Sequence, residues 1–279
     1  GTVRYSGVTG GDWRSFTVGN LGATFESPTA GVIWNLNNSA QAPIISGNLT
    51  FTGAGNIAMA HTLTGSNYSV IKNGTGKLTL SGNNTYTGAT TVNAGTLSAA
   101  SSGALGSSAS GTTVANGAAL ELQGNIALAE AVSLSGTGVS GTGALRNLLG
   151  SNAVTGLVTM TGDTKIQSDA GSLTLMPALG NAISGNYALT FDGAGTTSVG
   201  ALGIAAAGTF TKAGAGRLNL LSANTFSGGI SVNAGTLGVF DNAAAGTGII
   251  TAADGTTLLF GRGVTNFANN ITLNGSVTF

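Results

Sequence analysis

Residues 70–100 read VIKNGTGKLTLSGNNTYTGATTVNAGTLSAA, and residues 210–240 read FTKAGAGRLNLLSANTFSGGISVNAGTLGVF. The two stretches align without a gap, Val70 on Phe210 and Ala100 on Phe240. The same offset relates Leu49–Gly55 (LTFTGAG) to Leu189–Gly195 (LTFDGAG), Ala30–Gly31 to Ala170–Gly171, and Gly1–Thr2 to Gly141–Thr142. Further on, Val132–Gly136 resembles Ile271–Gly275, with the offset slipped by one position. The chain therefore reads as two tandem units, 1–140 and 141–279, with residues 1–44 the least repeat-like and suited to an end coil. A weaker echo, near half the main offset, relates Leu80–Gly88 to Leu148–Gly156. A sub-period of that size would suit three coils of a solenoid.

Within the repeats the hydrophobic pattern has period two. Leu78 and Leu80 alternate with Lys77, Thr79 and Ser81; Leu218 with Leu220, and Ile271 with Leu273, do the same. That alternation marks short half-buried strands. Asn-Gly, Ala-Gly and Ser-Gly pairs close each run after a few residues. Many short strands suit several all-β folds, but tandem near-identity favours a stacked repeat architecture. The expected fold is a right-handed parallel β-helix, one continuous solenoid over 1–279.

Composition agrees. The chain of 279 residues has 48 glycines, 42% hydrophobic residues and only 6% charged ones, against about 25% charged in ordinary soluble domains. Disordered chains have the opposite balance. Nine basic and nine acidic residues cancel. No basic stripe addresses nucleic acid or a membrane surface. No uninterrupted apolar run reaches the roughly 18 residues of a membrane-spanning helix, and residues 1–20, which contain Arg4, Asp12 and Arg14, hold no signal-peptide h-region, so a signal peptide is expected to be missing or already removed. Cysteine is absent, which removes disulfides, thiolate metal sites and thiol nucleophiles.

The pattern K-x-G-x-G-x-L-x-L-x-x-x-N-T-[YF]-[TS]-G followed by V-N-A-G-T-L occurs as Lys72–Gly88 with Val92–Leu97, and as Lys212–Gly228 with Val232–Leu237. It resembles the autotransporter-associated β-strand repeat. The resemblance implies a passenger segment of a Gram-negative surface protein, folded outside the cell as a right-handed β-helix. Such passengers are exported by a signal peptide and a C-terminal β-barrel, neither of which lies in these 279 residues. No protease or esterase motif of passenger enzymes occurs, so the resemblance implies a scaffold or adhesin.

Catalytic chemistry finds few residues. His61 is the only histidine, so a Ser-His-Asp triad or a zinc site would have to use it. The acids are Asp12, Glu26, Glu121, Glu130, Asp163, Asp169, Asp192, Asp241 and Asp254. None is closely paired in sequence, as the two carboxylates of a glycosidase would be in space. Gly74–Lys77 lacks the first glycine and the final Ser/Thr of a phosphate loop. Asp192-Gly-Ala-Gly has the wrong order for a calcium-binding repeat. No catalytic residue, cofactor or metal is expected.

The stretch 1–36 holds both tryptophans, Trp13 and Trp34, together with Arg4 and Arg14. Trp and Arg are enriched at binding hot spots, so these four are the candidate interaction residues. The competing expectation is a bulky end coil that covers an open core. Asn37-Asn38, Asn83-Asn84 and Asn269-Asn270 suggest stacked amides at coil corners. Three functions follow: a neutral surface rod acting in adhesion, homotypic self-association or display, with a host or matrix surface as another partner; a filament or sheath subunit joined end to end; and a carbohydrate-active β-helix enzyme, which would need clustered acids along one face.

Overall fold

A computed structural model describes residues 1–11, 16–36, 43–200, 203–205 and 208–279. Among them are thirty-one strands, one 3-10 turn (Val139–Gly141) and no α-helix. Every strand pair is parallel, and each strand bonds to the one about a turn later in sequence. The molecule is a parallel β-solenoid of about twelve turns. At about 4.8 Å per turn the rod is roughly 55–60 Å long.

Each turn carries up to three strands, one on each of three faces. On the first face, Thr24, Thr50, Ile71, Thr91, Thr113, Ser133, Thr159, Ser184 and Ala205 lie in register. On the second, an inward column runs from Trp34 through Ile57, Leu78, Leu97, Leu120, Leu145, Ile166 and Phe191 to Lys212, Val232, Ala252 and Leu273. On the third, Leu128, Val154, Leu175, Val199, Leu220, Val239 and Phe260 stack likewise. Strand Val158–Ser168 turns a corner and joins the first two faces. The period-two pattern fills these columns because alternate side chains point to opposite sides of a strand. The inward set forms one continuous apolar core.

The register also gives the repeat offset a geometry. Strand Val70–Lys72 lies on the first face, and six steps of pairing from it reach Ile204–Ala205. Its sequence equivalent, Phe210–Lys212, is the next strand along the chain and lies on the second face. Leu49–Thr52 and its equivalent Leu189–Asp192 show the same step from first face to second. One unit therefore spans six and one-third turns. The second copy is rotated by one face. The weaker echo, near half the offset, falls at three turns, from Leu80 through Ala99 and Leu122 to Asn147.

Corners are where the turns come closest. A Cβ on Gly76 would fall on the carbonyl oxygen of Gly55, and one on Gly216 on that of Gly195, both far inside van der Waals contact. The G-x-G of the motif is a pair of corner positions where neighbouring backbones touch, so side chains have no room. Gly76→Ala is expected to destabilise the rod by about 1–3 kcal/mol through forced backbone displacement. Gly19→Ala, at a corner with open space around it, should change stability by less than about 0.5 kcal/mol. Thermal unfolding of the two variants checks the difference.

Candidate functional site

The motif residues with chemically distinctive side chains lie inside the rod. Lys72 ends a strand in an inward position and is buried. Its Nζ donates to the carbonyls of Asn73 and Gly74, each at 2.8 Å, and of Ala94, in the next turn, at 3.0 Å. Lys212 repeats the arrangement with Gly214 and, at 3.1 Å, Ala234. Each ammonium gathers carbonyls left free where the chain turns. Burial lowers the Lys72 ammonium to about 8. Burial also lowers Lys212, and the charge of Asp192 partly offsets it.

The asparagine of N-T-[YF] clips three successive turns. Asn84 is buried; its Oδ1 accepts from the Leu63 N–H at 2.8 Å and its Nδ2 donates to the Ala104 carbonyl at 2.6 Å. Asn224 does the same between Ile204, at 2.5 Å, and Ala244. The expected amide stacking at Asn83-Asn84 is thus replaced at Asn84 by bonds to backbone. An Asn-to-Asn contact occurs instead at Asn93 and Asn73, 2.9 Å apart. Asn37-Asn38 lies outside the described residues.

The aromatic residue of the motif differs between copies, and its partner differs with it. Tyr86 Oη shares a 2.6 Å hydrogen bond with Thr90 Oγ1, both fully buried. In the second copy Phe226 and Ile230 take these places, also buried. A polar pair has become an apolar pair, and no phenol is orphaned.

Of the four candidate interaction residues, Trp13 and Arg14 lie outside the described residues. Trp34 is a core residue: it is only 2% exposed and stacks on Tyr5 at 5.4 Å, with Phe25 at 5.8 Å. Its indole N–H has no partner among the described residues. A side chain so enclosed presents no surface to a partner. Phe16, Phe25 and Phe51 extend the cluster. Arg4 reaches solvent, its side chain 64% exposed, and forms a two-pronged ion pair with Glu26 in the adjacent turn, 2.9 and 3.1 Å. The structure thus buries Trp34 and leaves Arg4 outside, and does not join them into one patch.

Six of the eighteen charges form a line the sequence did not reveal. Glu121, Arg146, Gln167 and Asp192 stack in register on the second face. Buried Glu121 accepts from Lys77 at 2.8 Å and from Arg146 at 3.4 Å, and Arg146 also holds Asp169. Lys165 pairs with Asp192 at 2.7 Å. Burial raises the Asp192 carboxyl, but hydrogen bonds from Lys165 and the Gly193 N–H, with the nearby lysine charges, bring it below its ordinary value. The acids in this line are each tied to a cation, unlike a pair of catalytic carboxylates. Among the described residues no group of three His, Asp or Glu side chains could hold a metal ion.

The apolar columns, corner glycines and buried Lys and Asn define a repeat-bearing β-solenoid whose motif maintains the stack. Residues 70–99 and 210–239 each match the passenger-associated-transport-repeat family. The matched stretches contain the motif that resembles the autotransporter-associated β-strand repeat, and the match is consistent with passenger repeats. No curated protein and no solved structure matches the chain significantly.

The Tyr86–Thr90 exchange gives a direct test. Thr90→Val alone leaves the Tyr86 hydroxyl buried without its partner and should cost about 1–3 kcal/mol. The double change Tyr86→Phe with Thr90→Ile, which installs the second copy's pair, should recover most of that loss. A denaturation double-mutant cycle measures the coupling.

Proposed function

We propose that this chain is part of an autotransporter passenger: an extracellular, non-catalytic rod that holds a cell-surface protein away from the membrane and makes contacts through its sides. The observation that carries this reading is where the motif residues point. Lysine, asparagine, aromatic and glycine residues of both copies are used between turns, so the repeated motif encodes stacking rather than a cleft. No helix among the described residues is long and apolar enough to cross a membrane, and the family match supports surface display.

The outer skin supports lateral contact. Its threonine, serine and asparagine side chains are polar but uncharged, charges are few and balanced in sign, and eight of the eighteen pair with one another among the described residues. Two such rods meet with little long-range repulsion. Scattered apolar side chains, among them Leu179, Ile44 and Ile249, are exposed. The partner we favour is a second copy of the chain, side by side.

Sedimentation of the purified chain at rising concentration tests this. Reversible dimers or larger species support the reading, and electron microscopy separates side-by-side bundles from end-to-end fibres. Only monomers at millimolar concentration, in both low and physiological salt, would overturn homotypic association.

A further inference from the structure

The core of the first copy contains an acid that the repeat motif does not require. Glu130 sits at the corner before strand Val132–Gly136 and is 4% exposed. Its Oε1 accepts from the Thr112 hydroxyl at 2.9 Å, and its Oε2 has no partner among the described residues. Thr112 lies in register with Thr90, which bonds Tyr86, so a polar thread runs through an otherwise apolar column. Beside it is a cavity of about 160 Å³ lined by Ser102, Leu105, Gly106 and Glu130 among others.

The second copy has the same corner without the acid. A cavity of about 260 Å³ is lined there by Asn242, Gly246 and Asn269, the sequence equivalents of Ser102, Gly106 and Glu130 once the one-position slip in the offset is applied. Phe226, Ile230 and Ile250 replace Tyr86, Thr90 and Thr112. Asn269 Nδ2 donates to the carbonyls of Gly246 and Gly248 at 3.0 and 2.7 Å. One architecture is therefore built twice, once around an ionisable side chain and once around a neutral amide.

We propose that Glu130 is a proton-operated latch, closing the 102–112 corner of the first copy when protonated and loosening it when ionised, while the matching corner on Asn269 ignores pH. A buried carboxylate is stable only with a cation or several donors. Glu130 has one hydroxyl. The segments packed around it, 102–112, 126–132 and 154–158, contain no other titratable or charged residue. Gly156 brings the following turn directly against its backbone. Beyond them lies the phenol of Tyr86, which burial keeps in its neutral form at these pH values, so it offers no counter-charge. The same burial places the carboxyl at about 7, above its ordinary 4.5, with the Thr112 bond acting weakly the other way. The folded state thus binds a proton that the open state releases between these two values. Closure is complete at and below the lower one, weakens as pH rises, and reaches its floor above the upper one.

Hydrogen–deuterium exchange of the intact chain between pH 5 and pH 8 tests the latch, with peptides 242–252 as the internal standard for intrinsic exchange chemistry. We expect the opening of 102–112 and 126–132 to grow, relative to that standard, by up to about tenfold per pH unit from pH 5 to 7. Glu130→Gln, which keeps the shape of the protonated acid, should abolish the pH dependence. Histidine also titrates in this window, so His61→Asn serves as a control and should leave it intact. Parallel pH profiles for both corners in the wild type overturn the latch, as does a profile that survives in Glu130→Gln or vanishes in His61→Asn. The wild-type comparison stands even if Glu130→Gln fails to fold.

Discussion

Parallel stacking of successive turns is the constraint on which everything else depends. Each turn gives its backbone N–H groups to carbonyls of a neighbouring turn, as in Ser81 to Met59 and Ala100 to Leu80. A turn can therefore change its side chains but not its spacing. Strand separation of about 4.8 Å leaves inward residues in direct contact with the same position above and below. It brings corners so close that only glycine fits at Gly76 and Gly216. Small residues at corners and Leu, Val, Ile and Phe between them follow from that spacing.

The same constraint explains why polar residues are tolerated inside. At corners the strand ladder is interrupted and carbonyls lose their partners. Lys72 and Lys212 collect those carbonyls, and Asn84 and Asn224 link a turn to both of its neighbours. These bonds hold the stack where sheet pairing cannot. Glu130 stands apart because it meets one donor and no cation. The motif lysine and asparagine complete the fold, whereas this acid burdens it.

Rotation by one face has a physical consequence for display. Because one repeat unit covers six and one-third turns, equivalent residues of the two copies lie on adjacent faces. Lys72 belongs to the first face and Lys212 to the second. A partner that recognised a feature common to both copies would meet it twice, on neighbouring sides of the rod rather than along one side. The paired charges of Glu121, Arg146, Asp169 and Asp192, by contrast, run along the second face from the end of the first unit into the second.

The strands, the duplication, the corner glycines and the parallel solenoid were legible in the sequence, because each depends on local periodicity or on repetition. Period two marks a strand wherever it sits, and a tandem repeat implies stacking because a single unit cannot bury its own apolar face. Tertiary structure alone decided which residues share a column. Turn lengths vary, so sequence offset does not convert to a whole number of turns, and the one-face rotation was invisible until the register was known. For the same reason Trp34, suspected as a contact residue, proved to be core. Glu121 and Arg146, far apart along the chain, proved to be neighbours. Glu130, one scattered acid among nine in the sequence, acquired its meaning only when the fold enclosed it without a counter-charge.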